Sequence, residues 1–353
     1  MQRRDFVASV GVGAAALLSG TARAQGRPTA RALVFDAMGE LRPEYDVALL
    51  REIRASGLDA ITVTLCDPKP IGAEAVQLAV DGVAEYDAFI ARHPTLLLKA
   101  TKVADIDRAR SSGRIAVFYL FQNTAQFGTN LDRVTLFARL GVRSSQLTYN
   151  DINDAGAGCR SPGGRLTPFG RELIAKMNAE RMLLDLSHVH MDTMADAIAA
   201  SRTSAVISHT ACATVHAHVR NTTDANLRAL AERGGVVGIC QIRPFITEQR
   251  RANLDRYVAH VLHAVRVAGV EHVAIGSDRD HRRIDLTPEY IAQLKREEGA
   301  QFVEADLPLF LEALNGPRRM EVVRDALAKK LPARDVDRIL GGNLRRLYAE
   351  VIG

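Results

Sequence analysis

Tryptophan is absent from this sequence of 353 residues, and aromatic residues make up only 5% of it. Its lysines and arginines are scattered among acidic residues, with no sustained basic run. Proteins that bind nucleic acids typically cluster basic residues on one face, so the sequence argues against nucleic acid as a partner. Hydrophobic residues account for 47% of the chain and charged residues for 25%, which is typical of a globular protein.

Cysteine is also scarce. The four cysteines are Cys66, Cys159, Cys212 and Cys240, and no two of them form a Cys-x-x-Cys pair. Zinc ribbons and thioredoxin-like redox sites need such closely spaced pairs, so both are excluded. An oxidising compartment would permit one disulfide among the four.

A long apolar run is missing at the N-terminus, where residues 7–18 form an apolar run of 12 residues. A helix that spans a bilayer needs about 20, so we expect no stable membrane span. The run follows Arg3-Arg4 and precedes Ala22-Arg23-Ala24, a twin-arginine start and a small-residue cleavage pattern. We therefore expect residues 1–24 to be a signal peptide of the twin-arginine route, and the mature protein to be periplasmic.

After this segment, short apolar runs alternate with longer amphipathic ones along most of the chain. Runs rich in Val, Ile and Leu are typical of parallel strands that are buried on both faces. The eight predicted strands are residues 32–35, 60–65, 115–121, 146–149, 182–186, 205–208, 236–240 and 272–276. Eight strands with helices between them predict an α/β protein of the (β/α)8 TIM-barrel type, and residues 25–353 are expected to form this single domain.

Helical spacing and capping residues predict the connections between these strands. Helices are expected at residues 45–56, 169–180, 192–200 and 224–232. Residues 96–103 form an extra apolar run that could be a ninth, peripheral strand. After the last strand, residues 281–305 are expected to be irregular, and C-terminal helices are expected at residues 307–314, 320–331 and 335–351.

In a parallel barrel, the functional site lies at the carboxyl ends of the strands. The polar residues at these predicted ends are Asp36, Glu40, Gln122, Asn123, Tyr149, Asn150, Asp151, His188, His209, Asp278 and Asp280. If the barrel prediction holds, their side chains converge on one mouth.

Two histidines and an aspartate at the ends of strands are typical of a metal-assisted hydrolase. Neutral imidazoles of His188 and His209 would hold a zinc-like cation, and Asp278 would manage the proton of a bound water. Each histidine alone could instead cap a helix or satisfy buried backbone groups, but their joint placement favours the metal. Arg220 suits a substrate carboxylate, with a surface ion pair as the alternative.

Six ordered motifs resemble the membrane (renal) dipeptidase family, and they extend over nearly the whole predicted mature chain. They are Leu166-Thr167-Pro168-Phe169-Gly170-Arg171, Asp185-Leu186-Ser187-His188-Val189, Ser208-His209, Arg220-Asn221, Gly276-Ser277-Asp278 and Leu340-Gly341-Gly342-Asn343. The resemblance implies an amidohydrolase-type barrel with two bridged zinc ions that cleaves dipeptides. It also implies that His188 and His209 bind one zinc, that Asp278 lies near the metal-bound water, and that Arg220 holds the substrate carboxylate.

The sequence departs from the family at other metal positions. The His-x-Asp pair after the first strand is replaced by Met38-Gly39-Glu40, the bridging glutamate by Gln122, and a histidine that contacts substrate by Tyr149. A thioether and a neutral amide are weak zinc ligands. We therefore expect one tightly held zinc per chain at His188 and His209, with Glu40 and Gln122 as possible further ligands.

The leading hypothesis is a metal-dependent hydrolase that cleaves a dipeptide or a similar small amide. Asp278 would shuttle the proton, and Arg220 would fix the substrate carboxylate. Tyr149 could donate a hydrogen bond to the developing oxyanion, and Asn150 beside it is expected to contact substrate. A homodimer is possible, because family members often pair.

Two alternatives remain open. One is a periplasmic ligand-binding homologue that has kept the pocket and lost catalysis, as the changes at Met38, Gln122 and Tyr149 could indicate. The other is a related hydrolase with a different metal, since the thioether of Met38 is a soft ligand that suits copper(I).

Overall fold

A sheet of parallel strands curves into a barrel in the part of the chain that the structure describes. The strands are β1 (Phe35–Asp36), β2 (Ala60–Thr64), β3 (Leu97–Lys99), β4 (Ile115–Phe121), β5 (Val142–Gln146), β6 (Leu183–Asp185), β7 (Val206–Thr210), β8 (Val236–Ile239) and β9 (Val273–Ile275). All pair in parallel, in the order β1-β2-β4-β5-β6-β7-β8-β9. The amide of Ala37 donates to the carbonyl of Ile275 at 2.9 Å, which brings β1 beside β9. The predicted barrel is confirmed.

The structure is a computed structural model, and it describes residues 31–299 and 302–353. Residues 32–353 form one compact unit. The predicted signal peptide, residues 1–24, lies outside the described residues. Within them, no helix is both long enough and apolar enough to cross a membrane.

Helices connect the strands and surround the barrel. They are α1 (Val47–Ala55), α2 (Gly72–Arg92), α3 (Ala104–Ser111), α4 (Asp132–Arg139), α5 (Pro168–Ala179), α6 (Met191–Ala200), α7 (Asp224–Glu232), α8 (Arg243–Ile246), α9 (Leu254–Ala268), α10 (Pro288–Glu298), α11 (Arg319–Ala328), α12 (Ala333–Asp337) and α13 (Asn343–Val351). Side-chain caps begin several of them. Thr167 accepts a hydrogen bond from the amide of Gly170, and Thr223 accepts one from Asn226.

The extra apolar run forms strand β3, which lies outside the main order of the barrel. Residues Leu97–Lys99 pair with the first residues of β4, whereas β5 pairs with the last residues of β4. Strand β2 occupies the other edge of β4. β3 therefore widens the sheet only at the beginning of β4.

The fourth barrel strand lies earlier than predicted, at Val142–Gln146 instead of residues 146–149. This strand is polar in sequence but buried in the structure. Its serines satisfy their hydroxyl groups on carbonyl oxygens, with Ser144 Oγ donating to Leu183 at 3.1 Å. Because the strand is polar, the pattern of apolar residues did not predict it at this position. Tyr149 lies in the loop after the strand.

Two predictions after the last strand are also wrong. Residues 281–305 contain helix α10, whose N-cap Thr287 accepts from the amide of Tyr290. Residues 307–314 are mostly not helical, because their backbone pairs with the segment after β8. The amide of Arg243 donates to the carbonyl of Leu309 at 3.0 Å, and Phe310 forms a bridge with Ile242.

Helix α13 covers the end of the barrel at which the strands begin. Its Leu344, Leu347 and Tyr348 belong to a buried cluster with the starts of several strands. The Tyr348 ring packs edge-on against Phe35 and Phe118, with centroids 4.9 and 5.0 Å apart. This packing leaves the opposite end, where the strands finish, for the functional site.

The barrel wall is too tight for a side chain at Gly238 in β8. A Cβ atom there would lie 2.0 Å from the carbonyl oxygen of Ser208 in β7. We expect Gly238→Ala to lower the free energy of unfolding by about 1–3 kcal/mol, measured by urea denaturation. Gly163→Ala is the matched control, because a Cβ atom at Gly163 has no neighbour within 4 Å. Equal stability of the two variants would contradict this account of the wall.

Candidate active site

A cavity of about 300 Å³ opens at the carboxyl ends of the strands. Seven of the predicted site residues line it, namely Glu40, Gln122, Tyr149, Asn150, His188, Arg220 and Asp278. The eighth, His209, is fully buried and contacts His188. A larger cavity of about 670 Å³ between residues 250–252 and 286–312 contains none of them. The residues predicted from the strand ends therefore lie together at one cavity.

His188 and His209 face each other across the ends of β6 and β7. Their Nε2 atoms are 2.9 Å apart, and their ring centroids are 5.0 Å apart. Burial, together with the positive charge of Arg220, holds the pKa of both imidazoles well below the usual value. Both rings are therefore neutral at pH 7.

The hydrogen bonds of His209 identify its protonated nitrogen. Asp185, the last residue of β6, accepts from the amides of Ser187 and Ser208 at 3.0 Å and from Ser208 Oγ at 2.5 Å. Burial raises the pKa of Asp185, and these bonds counteract the rise. When Asp185 is ionised, Ser208 donates its only hydroxyl hydrogen to it, so Ser208 Oγ accepts from His209 Nδ1 at 2.8 Å. The Nε2 atom of His209 then carries a free lone pair.

His188 has the same tautomer for a different reason. Its Nδ1 lies 2.7 Å from Asn150 Oδ1, which also accepts from the Cys159 thiol at 3.4 Å. An amide oxygen is an acceptor only, so Nδ1 of His188 carries the hydrogen. Tyr149 stacks on the ring, with centroids 4.3 Å apart. The ring is thereby fixed in position and tautomer.

These tautomers bring two Nε2 lone pairs close together, an arrangement that is repulsive unless one cation binds both. Their separation is less than twice the usual Zn–N bond length of about 2.0–2.1 Å, so one ion can reach both atoms. Within residues 31–299 and 302–353, no group of three or more His, Cys, Asp or Glu side chains could hold a metal. An ion at this pair would keep positions open for water and substrate, as catalytic zinc sites do.

Backbone strain is concentrated at the same place. Three non-glycine residues of the described ranges have a positive φ, and two of them are His188 (φ 63°) and Asp278 (φ 53°). The left-handed region is unfavourable for such residues, and strain of this kind often marks functional sites. The barrel therefore holds both residues in a backbone conformation that is unfavourable for them.

Asp278 follows β9 and is a buried acid with a high pKa. Burial raises the pKa of this carboxyl group to about 7, with a further rise from Glu40, while Arg220 and Arg279 lower it. Its Oδ2 lies 3.9 Å from the Cys240 thiol. A carboxyl group that titrates near neutral pH can both accept and donate a proton under ordinary conditions.

Arg220 is buried beside the histidines rather than in the alternative surface ion pair. Its Nη2 donates to the carbonyl of His209 at 3.3 Å, and its guanidinium lies 5.3 Å from the centre of the Phe245 ring. Its Nε has no hydrogen-bond partner within the protein. The amide of Arg220 donates to Nδ1 of His218 at 3.1 Å, which anchors the loop. This geometry suits an anion bound in the cavity.

The predicted roles of Glu40, Gln122 and Asn150, like those of the residues above, stay predictions. Glu40 lies in the cavity wall, but its carboxylate pairs with Arg42 at 2.5 Å, and Gln122 also lies in the wall. Neither is shown to be a metal ligand. Asn150 lines the cavity as expected, and its observed contact is with His188. All four cysteines are free, so the disulfide that the sequence would permit is not formed.

Sequence reasoning missed the supporting network and one arginine. Asp185 and Ser208 were noticed only as parts of motifs, although an aspartate that ends a buried strand is itself a signal. Asp36 ends β1 in the same way and accepts from the amide of Ser277 at 2.8 Å and from its Oγ at 2.5 Å. Arg279, between two acids at the end of β9, also lines the cavity.

The chain is similar to several known proteins. An uncharacterised dipeptidase of Schizosaccharomyces pombe is 32% identical over 251 residues, which are 66% of this chain and 60% of that protein. An amidohydrolase from Pseudomonas aeruginosa superposes with a TM-score of 0.81 at 26% identity, over 91% of this chain and 97% of that one. A metallopeptidase from Rhodobacter sphaeroides, solved with a phosphinate mimic of the dipeptide L-Ala-D-Ala, shares the fold with a TM-score of 0.75 at 18% identity, over 91% and 99% of the two chains.

The chain thus spans about 60% of the length of its curated relative. The family model of the membrane dipeptidases, peptidase family M19, matches residues 32–292. These residues include every predicted site residue and well over half of the sequence. The chain therefore belongs to the membrane dipeptidase family.

Proposed function

We propose that this protein is a metal-dependent dipeptidase that holds one zinc ion per chain at His188 and His209. The observation that carries the proposal is the pair of Nε2 atoms that lie 2.9 Å apart at the carboxyl ends of the strands. A buried acid and a buried arginine, Asp278 and Arg220, lie in the wall of the adjoining cavity. Membership of the dipeptidase family points to the same chemistry.

Each residue has a distinct task in this reaction. When bound, the zinc ion polarises the amide carbonyl and makes water a stronger nucleophile. Asp278 takes the proton of the attacking water and passes it to the leaving amine. Arg220 binds the carboxylate of the substrate, which positions the amide. Tyr149, whose ring stacks on that of His188, would donate a hydrogen bond to the oxyanion.

The location of the protein is proposed from its sequence, and its assembly is proposed from its family. The Arg3-Arg4 start and the apolar run after it support export by the twin-arginine route to the periplasm. A homodimer is proposed only by analogy with the family. Glu40 and Gln122 are proposed as additional oxygen ligands because they line the same cavity.

The metal content of the purified mature protein is the first test. We expect about one zinc ion per chain by elemental analysis, and less than a tenth of that in His209→Ala, because one imidazole alone binds zinc weakly. His272→Ala is the matched control, since His272 bonds the carbonyl of Gly235 and does not line the cavity. Two ions per chain would contradict the single site, and none after addition of zinc would contradict the metal proposal.

The Asp185 network predicts a loss of metal affinity without the loss of a ligand. Asp185→Asn removes the ionised acceptor that orients Ser208 and thus His209, so we expect zinc to bind about 10–100-fold more weakly. Chelator competition measures the affinity. Asp105→Asn is the control, because Asp105 is a buried acceptor of the backbone amides of Thr101 and Lys102 outside the site. Unchanged affinity in Asp185→Asn would refute this role.

The pH dependence tests the role of Asp278. A general base acts when it is deprotonated, so kcat/KM for dipeptide hydrolysis should rise with pH through the pKa of Asp278 and then level off. That pKa is about 7 in the chain alone, and a bound cation shifts the midpoint lower. Asp278→Asn should lower kcat/KM by about 10²–10⁴-fold and abolish this limb. No hydrolysis of any dipeptide by the zinc-loaded protein would overturn the proposed function.

A further inference from the structure

The wall of the cavity is unusually rich in arginine. Five arginines line it, namely Arg42, Arg160, Arg220, Arg279 and Arg282. Two of them are neutralised by acids of the same wall. Arg42 pairs with Glu40 at 2.5 Å, and Arg282 pairs with Asp280 at 2.5 Å.

The other three have no carboxylate partner among the described residues. Arg160 is exposed, whereas Arg220 and Arg279 each have only 4% of their surface exposed. A buried guanidinium usually has a carboxylate or a full set of acceptors, because an unpaired buried charge is costly. Arg220 already has a proposed partner, the carboxylate of the substrate. Arg279 is left without one.

The contacts of Arg279 leave part of its guanidinium unused. Its Nη1 donates to the carbonyl of Leu309 at 3.3 Å, and the guanidinium lies 5.3 Å from the centre of the Phe310 ring. Its Nε and Nη2 have no hydrogen-bond partner within the protein. Two adjacent N–H groups of one guanidinium are the donors that bind a carboxylate in bidentate fashion.

Three acids of the wall, Glu40, Asp278 and Asp280, do not supply that carboxylate. Asp280 is occupied by Arg282 and by the hydroxyl of Tyr45, which donates to it at 2.5 Å. Glu40 is occupied by Arg42. Asp278 is next to Arg279 in sequence, yet it forms no ion pair with it within 4 Å among the described residues. No carboxylate of the described residues forms an ion pair with Arg279, so its free N–H groups are available to an acceptor from outside the chain.

We propose that the substrate carries two anionic groups, one bound by Arg220 and a second, a side-chain carboxylate, bound by Arg279. This inference rests on the proposed dipeptidase function and names its substrate class: dipeptides that contain aspartate or glutamate. A cavity of about 300 Å³ is at the small end of ligand pockets and suits a molecule of this size. Arg279 then acts as a specificity residue, since removal of the second carboxylate leaves its donors unpaired.

Binding of dicarboxylates tests the subsite without requiring catalysis. Glutarate and its monoamide, glutaramate, have nearly the same size and differ by one charge. In calorimetric titrations of the zinc-loaded protein, we expect glutarate to bind at least tenfold more tightly than glutaramate. Arg279→Met should reduce this preference to less than threefold, and Arg279→Lys should retain part of it. Equal affinity for the two ligands in the unaltered protein would overturn the proposal.

Arg283→Met is the matched control for the change in charge. Arg283 lies four residues away, pairs with Glu312 on the surface and does not line the cavity. This variant should keep the full preference for glutarate. If it loses the preference as Arg279→Met does, net charge rather than a defined subsite selects the ligand, and the proposal fails.

Hydrolysis provides the second arm of the test. The dipeptides Ala-Glu and Glu-Ala are compared with Ala-Gln and Gln-Ala, which differ only by the charge of the side chain. At least one glutamate peptide should have a kcat/KM tenfold above that of its glutamine counterpart, and Arg279→Met should bring the ratio below three. An unchanged ratio in Arg279→Met would refute the role of Arg279. A protein that binds glutarate selectively but cleaves no dipeptide would refute the proposed function and leave the subsite intact.

Discussion

The site depends on one buried carboxylate, that of Asp185. It ends β6, accepts from two backbone amides and one hydroxyl, and so fixes the ends of β6 and β7 relative to each other. Through Ser208 it also determines which nitrogen of His209 carries the hydrogen. A structural bond between neighbouring strands therefore also orients the proposed metal ligand His209. Asp185 therefore supports both the contact between β6 and β7 and the orientation of His209.

The same arrangement of an aspartate and a serine occurs on the other side of the barrel. Asp36 ends β1 and accepts from the amide and the hydroxyl of Ser277, which follows β9. Here the aspartate also faces the fully buried Arg319 at 3.6 Å, a charge that Asp185 lacks. Each serine precedes a site residue, His209 in one case and Asp278 in the other. Two aspartates at strand ends thus position His209 and Asp278, and each aspartate does so through one serine.

Much of the fold and several residues of the cavity could be predicted, because each strand of a parallel barrel leaves a local pattern in the sequence. Apolar strands and the polar residue after each strand are local signals, and they predicted that His188, His209 and Asp278 lie together at one end of the barrel, as they do. Strand β5 was misplaced because Ser144 satisfies its hydroxyl group inside the barrel, which no local pattern reveals. The tautomers of the two histidines depend on contacts between residues that are far apart in sequence. Arg279 could not be distinguished from a surface arginine until its burial and its unpaired N–H groups were known.

Helix α13 has a consequence for turnover. Because its leucines and Tyr348 fill the end of the barrel where the strands begin, the cavity has its opening at the other end. Substrate would enter and products would leave by the same route. In the proposed dipeptidase reaction, the released amino acids would share this route with the incoming dipeptide, and a product whose carboxylate is held by Arg220 would compete with it for that arginine. The architecture thus favours competitive product inhibition of the proposed reaction.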